Sequence, residues 1–246
     1  MALCTRLPVL FAAALLAATS GCEQDSRPET SRDFPQADRP VSPPQTSKVT
    51  TEVQRDLVRE AQAVMDLAGV SPGMSVADIG AGEGYYTIRL AQRVGVSGRV
   101  LAEDIDAGVT ERLGQRVLRE ELDNVSIRLG TADDPRLPEN SFDRVFLIRM
   151  YHEVSEPYAF LWRMRPSLRA SGQVIVVDGD RPTNDHGTPP ALLFCEMQAV
   201  GFRLTEFVRK PEFKGYYAQF EAVGERPAPA DISPCRLTGD TAVSKN

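Results

Sequence analysis

Residues 76–86 read VADIGAGEGYY, and this stretch decides the fold. An apolar run that ends at Ile79 leads into three glycines at alternate positions, and a helical spacing of apolar residues follows at once. The glycines let the backbone turn sharply and let a ligand approach with no Cβ in the way. The following helix offers unpaired N–H groups to a polar or anionic ligand. Either this is a ligand-binding turn built on Gly80, Gly82 and Gly84, or it is an ordinary glycine-rich turn between strand and helix.

Strands and helices alternate on both sides of this turn. The pattern starts with a predicted helix at residues 50–68 and closes with two adjacent strands, at 202–208 and 216–223, that are typical of an antiparallel pair. We predict one α/β domain over residues 50–224. It has a doubly wound, mostly parallel seven-stranded sheet with helices on both faces and an antiparallel last strand. Ligands of such folds bind beyond the C-terminal ends of the strands.

Polar residues stand at several of these predicted strand ends. Asp104 closes the second strand, 20 residues after Gly84. In dinucleotide-binding α/β folds an acidic residue at about this spacing takes the ribose hydroxyls, because a carboxylate can accept from both of them. The alternative for Asp104 is a helix N-cap. Asp133 and Asp178 also fall at this edge of the sheet, and this convergence supports a site more strongly than any one motif.

Four blocks of the sequence resemble a known family, the class I S-adenosylmethionine-dependent methyltransferases, which share a Rossmann-like fold. The blocks are VADIGAGEG at 76–84, EDID at 103–106, ADDPRLPENSFDRV at 132–145 and LRASGQVIVVD at 168–178. The resemblance runs from about residue 50 to residue 223. It therefore covers the whole predicted domain.

This resemblance implies S-adenosylmethionine as the cofactor. The glycine loop is expected to wrap the methionine part, and Asp104 to bind the ribose. The family often has Asp after the glycine of the third block, where this chain has Thr131, so adenine recognition is assigned to Asp133. The expected cofactor-binding residues are Asp78, Gly80, Gly82, Gly84, Asp104 and Asp133. The spacing argues against a nicotinamide enzyme, whose G-x-G-x-x-G fingerprint needs a glycine where Tyr85 stands.

Tyr151 and His152 follow the fourth predicted strand, where the transferred methyl group is expected to point. Methyl transfer needs mainly positioning, and needs a base when the acceptor is a weak nucleophile such as a hydroxyl. We predict Tyr151 and His152 as the catalytic residues, with His152 either taking a proton or only shaping the pocket. His186, in a loop over the same sheet edge, either lines the acceptor site or is a solvated loop residue. No metal is predicted, because Asp178 and Asp180 lack a clear third ligand.

The predicted function is therefore methyl transfer to an unidentified small-molecule or lipid-like acceptor. The alternative is an exported binding or scaffold protein that keeps the fold without transfer activity. The net charge of −6 and the lack of a basic cluster argue against a nucleic-acid partner. The acceptor and the oligomeric state are not determined by the sequence.

The N-terminal residues 1–21 have the three-part pattern of a secretory signal peptide. Residues 18–22, ATSGC, resemble a bacterial lipobox, although Thr19 stands where a larger apolar residue is usual. We expect an exported, periplasmic protein anchored to a membrane through lipidated Cys22. Glu23 is compatible with the outer membrane. The alternative is a plain secretory signal.

Residues 22–49 and 225–246 are predicted to be a disordered Pro-rich linker and a disordered tail. Both contain few large apolar residues and therefore bury too little surface to offset their ordering entropy. Cys195 lies in a helical pattern and Cys235 in the tail. Either the two pair in an oxidising compartment, or Cys195 is a small buried apolar residue.

Overall fold

The computed structural model describes residues 27–43 and 51–236 and contains a seven-stranded sheet. The strands are β1 Ser75–Ile79, β2 Arg99–Asp104, β3 Val125–Leu129, β4 Phe142–Ile148, β5 Leu168–Asp178, β6 Phe202–Lys210 and β7 Gly215–Ala222. Their order across the sheet is β3-β2-β1-β4-β5-β7-β6. Strands β1 to β5 are parallel, and β7 runs antiparallel to both β5 and β6. The predicted fold class is confirmed.

Six α-helices accompany these strands in the described part of the chain. They are α1 Glu52–Leu57, α2 Glu60–Leu67, α3 Tyr85–Val94, α4 Ala107–Arg119, α5 Pro157–Met164 and α6 Pro190–Ala199. The single helix predicted at 50–68 is in fact α1 and α2. Arg59 breaks it by adopting a left-handed φ of 52°. Such a φ cannot continue a right-handed helix.

The two faces of the sheet bury separate apolar cores. Helices α2 and α3 cover one face through side chains such as Val64 and Leu90. Helices α5 and α6 cover the other face through side chains such as Leu161 and Leu193. Because both faces are covered, the central strands β1, β4 and β5 are buried over most of their length. The polar ligand site is therefore restricted to the strand ends.

Residues 27–43 form an ordered segment that crosses the face made by α5 and α6. We call it the N-terminal strap. Phe34 is buried and packs edge-on against Trp162, with ring centroids 5.5 Å apart. Arg39 Nε lies 2.9 Å from Glu196 Oε1, and both side chains are at most 1% exposed. The predicted disorder of the linker is wrong for these residues. Composition indicates how much apolar area a segment can bury, but it does not indicate buried ion pairs such as the one between Arg39 and Glu196.

Residues 225–236 are also ordered, so the predicted disorder of the tail is wrong there too. Arg226 stacks over Trp162 at 3.4 Å from the ring centroid, and the Trp162 indole N–H donates to the Pro227 carbonyl. Cys235 forms a disulfide with Cys195 of α6. Cys195 is exposed, so its interpretation as a buried apolar residue is also wrong. The disulfide and the Trp162 contacts hold the tail against the domain.

The predicted signal peptide at 1–21 and the lipid site at Cys22 lie outside the described residues. Within the described ranges, none of the helices has both the length and the apolar character needed to cross a membrane.

Candidate functional site

The glycine loop joins β1 to α3, and its three glycines all have positive φ: 64° at Gly80, 55° at Gly82 and 87° at Gly84. A Cβ on Gly80 would lie 2.9 Å from Met150 Cβ, and a Cβ on Gly84 would lie 2.5 Å from Leu113 Cδ1. A Cβ on Gly82 would meet no atom of the described chain within 4 Å. Gly80 and Gly84 are therefore required by packing, whereas Gly82 borders open space that a ligand can enter.

Asp104 lies beside this open space, at the end of the neighbouring strand β2. The Gly82 N–H donates to Asp104 Oδ2 at 3.0 Å, and the Asp106 N–H donates to Asp104 Oδ1 at 3.0 Å. Asp106, rather than Asp104, caps helix α4, because its Oδ1 accepts from the Val109 N–H. Each oxygen of Asp104 has further acceptor capacity. This geometry fits the predicted ribose contact.

Asp78 lies beneath the loop rather than at its surface. Its carboxyl is 3% exposed, and Oδ2 accepts a hydrogen bond of 2.6 Å from Thr87 Oγ1 in α3. Burial raises the pKa of Asp78 to about 6. The side chain thus holds the start of the helix to the strand and supports the loop from below.

Glu103 is a buried acid at this edge that the sequence interpretation did not single out. It is 2% exposed, and its Oε1 atom has no hydrogen-bond partner within the described ranges. Burial, followed by the neighbouring Asp104 carboxylate, raises the pKa of Glu103 to about 8. The Gly80 N–H, which donates to Glu103, opposes this shift. The Glu103 carboxyl is therefore protonated at neutral pH. The signal in the sequence that indicates this buried acid is its position one residue before the end of β2.

We expect the stability of the protein to depend on pH through Glu103. The folded pKa of about 8 lies above the ordinary value of 4.5, so the folded state binds the proton more tightly. Stability from this group therefore falls as pH rises from about 4.5 to about 8. Glu103→Gln has no carboxyl group to ionise, so the variant does not lose this stability as the pH rises. The free energy of unfolding of Glu103→Gln, relative to wild type, should rise by about 2 kcal/mol between pH 5 and pH 7 in urea titrations. If the difference in free energy of unfolding between Glu103→Gln and wild type does not change with pH, the raised pKa of Glu103 is contradicted.

Asp133, which we predicted for adenine recognition, accepts hydrogen bonds from several other segments of the chain. It is 4% exposed. Its Oδ2 accepts from Thr30 Oγ1 (2.5 Å), Ser31 Oγ (2.9 Å) and Arg163 Nη1 (2.7 Å), and its Oδ1 accepts from Thr131 Oγ1 (2.9 Å). The N-terminal strap thus uses this carboxylate as its anchor. Partners more than 100 residues away in sequence therefore engage this side chain, and its role in adenine recognition stays a prediction.

His152 lies at the end of β4 and is 3% exposed. Its Nδ1 atom is 3.0 and 3.1 Å from the two carboxylate oxygens of Asp178, at the end of β5. Asp178 also accepts from Thr188 Oγ1 and the Gly179 N–H, both at 2.8 Å. A carboxylate at Nδ1 favours the tautomer with the proton there. The lone pair of His152 is therefore on Nε2, which lies 3.8 Å from Glu153 Oε1.

Tyr151, the other predicted catalytic residue, is fully buried. Its hydroxyl donates to Glu196 Oε2 at 2.7 Å, and Glu196 pairs with Arg39 of the strap. Burial raises the pKa of Tyr151 well above its ordinary value. The Tyr151 hydroxyl therefore binds the residue that holds the strap, and the catalytic role of Tyr151 stays a prediction.

Two further side chains meet His152. One ligand atom from each of His152, Glu153 and His186 lies within 4.8 Å of the others. The two imidazole rings are edge to face, with centroids 5.5 Å apart. His186 is half-buried against His152, which favours the alternative that it lines the acceptor site. Asp180, suggested as a metal ligand beside Asp178, instead pairs with Arg209 at 2.7 Å.

The strap completes this cluster through Ser42, which is 1% exposed. The Ser42 N–H donates to the carbonyl of His152 at 3.3 Å, and Ser42 Oγ accepts from the His186 N–H at 3.2 Å. Ser42 Oγ also donates to the Thr183 carbonyl. One residue from outside the predicted domain thus joins the two loops that carry the histidines.

The glycine loop and the histidine cluster share one edge of the sheet, because β4 lies between β1 and β5. Met150, two residues before His152, packs directly against Gly80. This edge therefore has two halves. The half around Asp104 is suited to a nucleoside, and the half around His152 is suited to proton transfer or metal binding.

Residues 76–172 match a protein family described as a methyltransferase domain. The chain is 33% identical over 122 residues to the ubiquinone/menaquinone biosynthesis C-methyltransferase UbiE of Hahella chejuensis, and this match covers 49% of each chain. It is 35% identical over 85 residues to the nocamycin O-methyltransferase of Saccharothrix syringae, which covers 35% of this chain and 30% of the relative. The chain thus spans half or less of the length of these curated relatives.

The fold is also found among solved structures. A SAM-dependent methyltransferase from Aquifex aeolicus superposes with a TM-score of 0.65 at 22% identity, and the match covers 69% of this chain and 93% of that one. At this identity the likeness establishes the fold. Together with the domain match, it agrees with the fold and cofactor class that the glycine loop and Asp104 indicate.

Proposed function

We propose that this chain, whose residues 76–172 match a methyltransferase domain, uses S-adenosylmethionine as its cofactor and methylates a small-molecule or lipid-like acceptor bound beside His152. The observation that carries the proposal is the juxtaposition at one sheet edge of a glycine loop bonded to Asp104 and a buried His152–Asp178 pair. The first suits a nucleoside cofactor and the second an acceptor that must lose a proton.

The cofactor half of the site fits S-adenosylmethionine through three features. Gly82 borders open space, so the backbone admits a ligand there. Asp104 has acceptor capacity for ribose hydroxyls. Ile105, the next residue, is 51% exposed and offers an apolar surface to a purine face. When bound, S-adenosylmethionine supplies an electrophilic methyl group, so the chain's own residues mainly position the reactants and exclude water.

On the acceptor half, His152 has the geometry of a general base. Asp178 holds the ring at Nδ1 and stabilises the positive charge that a second proton creates, which leaves Nε2 to take that proton. A hydroxyl acceptor donates its proton to Nε2 as its oxygen bonds to the methyl carbon. In this role His152 is the catalytic residue and Asp178 positions it.

Asp104→Ala should weaken S-adenosylmethionine binding by roughly 10- to 100-fold, because hydrogen bonds to a charged group contribute about 1.5–3 kcal/mol each. Isothermal calorimetry on the full chain measures this. Asp66→Ala is the matched control, since Asp66 is an exposed carboxylate on α2 paired with Arg93. Unchanged affinity in Asp104→Ala would reject the ribose assignment. A wild-type chain that does not bind millimolar cofactor would overturn the enzyme proposal.

Binding without transfer would favour the alternative, a binding or scaffold protein with this fold. Incubating the purified chain with cofactor and a panel of hydroxylated small molecules and lipids, and measuring S-adenosylhomocysteine, separates the two functions. Turnover with any acceptor supports the enzyme. Cofactor binding with no product across the panel supports the scaffold.

We also propose that the protein works outside the cytosol, in the periplasm, tethered to a membrane through lipidated Cys22. The support is the Cys195–Cys235 disulfide. Disulfides persist in oxidising compartments and are rare in the cytosol.

A further inference from the structure

We propose that His152, Glu153 and His186 bind a divalent transition-metal ion such as Zn²⁺ on the acceptor side of the site. One ligand atom of each residue lies within 4.8 Å of the others, and His152 Nε2 is 3.8 Å from Glu153 Oε1. Nitrogen and oxygen ligands bind Zn²⁺ at about 2.0–2.2 Å, which places tetrahedral neighbours about 3.4 Å apart. Small side-chain rotations therefore bring the three atoms to a common metal.

The surroundings of His152 match those of a metal-ligating histidine. Such residues usually donate their second ring N–H to a carboxylate, which fixes the tautomer and raises the basicity of the ligand nitrogen. Asp178 does this at Nδ1, and it is itself held by Thr188 Oγ1 and the Gly179 N–H. Because Asp178 is 1% exposed, water does not compete strongly for this carboxylate. His152 Nε2 is thus preset as a ligand atom.

The second histidine is held by its backbone. The His186 N–H donates to Ser42 Oγ, and its carbonyl accepts from Arg181 Nε at 3.0 Å and Nη2 at 2.9 Å. Its φ of 51° lies in the left-handed region, which is uncommon for residues other than glycine. Packing thus holds the loop in one conformation with the imidazole against His152, as a binding site requires.

The ligand set indicates which metal binds. Two imidazoles and one carboxylate form a known catalytic Zn²⁺ set, which leaves a coordination position open. Mg²⁺ and Ca²⁺ prefer oxygen ligands throughout. The sequence did not reveal this set, because 33 residues separate His186 from Glu153 and only the ends of adjacent strands bring the two loops together.

The open position accommodates an acceptor hydroxyl, so the inference rests on the proposed function and deepens it. The hydroxyl oxygen binds the metal and its proton passes to solvent. That oxygen then bonds to the methyl carbon while the carbon–sulfur bond breaks, and the electron pair of this bond stays on sulfur. This ligand role replaces the general-base role of His152 in the proposed function, because both roles need the Nε2 lone pair, and it leaves the cofactor half of that proposal unchanged.

The test uses the full chain, stripped with a chelator and titrated with Zn²⁺ in a calorimeter. We expect one Zn²⁺ per chain at this site. Glu153→Gln and His186→Asn should each weaken binding at least ~10-fold, and Asp178→Asn should weaken it by about 10- to 100-fold. Asp180→Asn is the matched control, since Asp180 lies two residues from Asp178 but pairs with Arg209, and it should keep wild-type affinity.

A second readout, the electronic spectrum of the Co²⁺-loaded wild-type chain, does not depend on any variant folding. Nitrogen and oxygen ligation supports the site, whereas a thiolate charge-transfer band overturns it. Zn²⁺ affinity unchanged in both Glu153→Gln and His186→Asn, or no binding by the folded wild type, also overturns it. Cofactor calorimetry on the same samples separates the proposals. Cofactor binding without Zn²⁺ binding rejects the metal site alone, and Zn²⁺ binding without cofactor binding rejects the proposed function alone.

Discussion

Replacing Arg39 by Met is expected to lower the free energy of unfolding by about 3–5 kcal/mol. Arg39 and Glu196 are at most 1% exposed and 2.9 Å apart, so removing the guanidinium leaves a buried carboxylate without its counter-charge. The substitution also removes the bond from Arg39 Nη2 to the Val154 carbonyl and leaves the Tyr151 hydroxyl as the remaining donor to Glu196. Urea unfolding followed by circular dichroism measures the change.

The matched control for Arg39 is a surface ion pair of the same chemistry. Arg203 pairs with Glu221 across β6 and β7, but the Arg203 side chain is 68% exposed. Arg203→Met should therefore change stability by no more than about 1 kcal/mol. If Arg39→Met proves as mild as Arg203→Met, the strap is not docked as described. A docked strap also predicts that Arg39→Met loosens the histidine loops, because Ser42 of the same segment joins them.

Removing the Cys195–Cys235 disulfide is expected to cost about 4 kcal/mol of stability. The bond closes a loop of 40 residues, and the chain-entropy relation for that length gives this magnitude. The double variant Cys195→Ala, Cys235→Ala should unfold at lower urea than the oxidised wild type. Adding a reductant should lower the stability of the wild type to a similar level and leave the variant unchanged. A wild type that is insensitive to reductant, with both thiols shown to be free, would contradict the disulfide.

Whether this disulfide forms depends on where the chain folds. The full sequence, including residues 1–21, can be expressed in a Gram-negative host. Intact-mass analysis of the product then reports both the processing of the N-terminus and the oxidation state of Cys195 and Cys235. We expect a mature chain that begins at a lipidated Cys22 and contains oxidised Cys195 and Cys235. An unmodified chain that begins at Met1 with reduced cysteines would refute the proposed export.

The sequence alone was sufficient for the features that depend on short stretches of chain. The turn between β1 and α3 follows from the three closely spaced glycines, and the alternation of strands and helices follows from apolar periodicity. The position of Asp104 beside the loop follows from its spacing within one strand–helix–strand unit. These features were predictable because local conformational preferences and right-handed crossovers leave few alternatives.

The tertiary structure alone decided which polar side chains meet. It assigned Asp133 to Thr30 and Ser31 of the strap, more than 100 residues away, although its sequence block indicated adenine binding. It ordered the Pro-rich strap and the tail, whose composition predicted disorder. Buried polar groups need partners, and these partners come from any part of the chain that packing brings near.

The glycine loop and Asp104 could therefore be predicted from the sequence, while the histidine cluster could not. Residues 76–104 lie in one local unit, in which strand, turn, helix and strand follow each other. His152 and His186 meet because β4 and β5 end side by side and because Ser42, 144 residues from His186, joins their loops. Local periodicity and spacing determined the fold and the cofactor edge, and long-range packing determined the acceptor side, because hydrogen bonds between distant segments leave no periodic signal in the sequence.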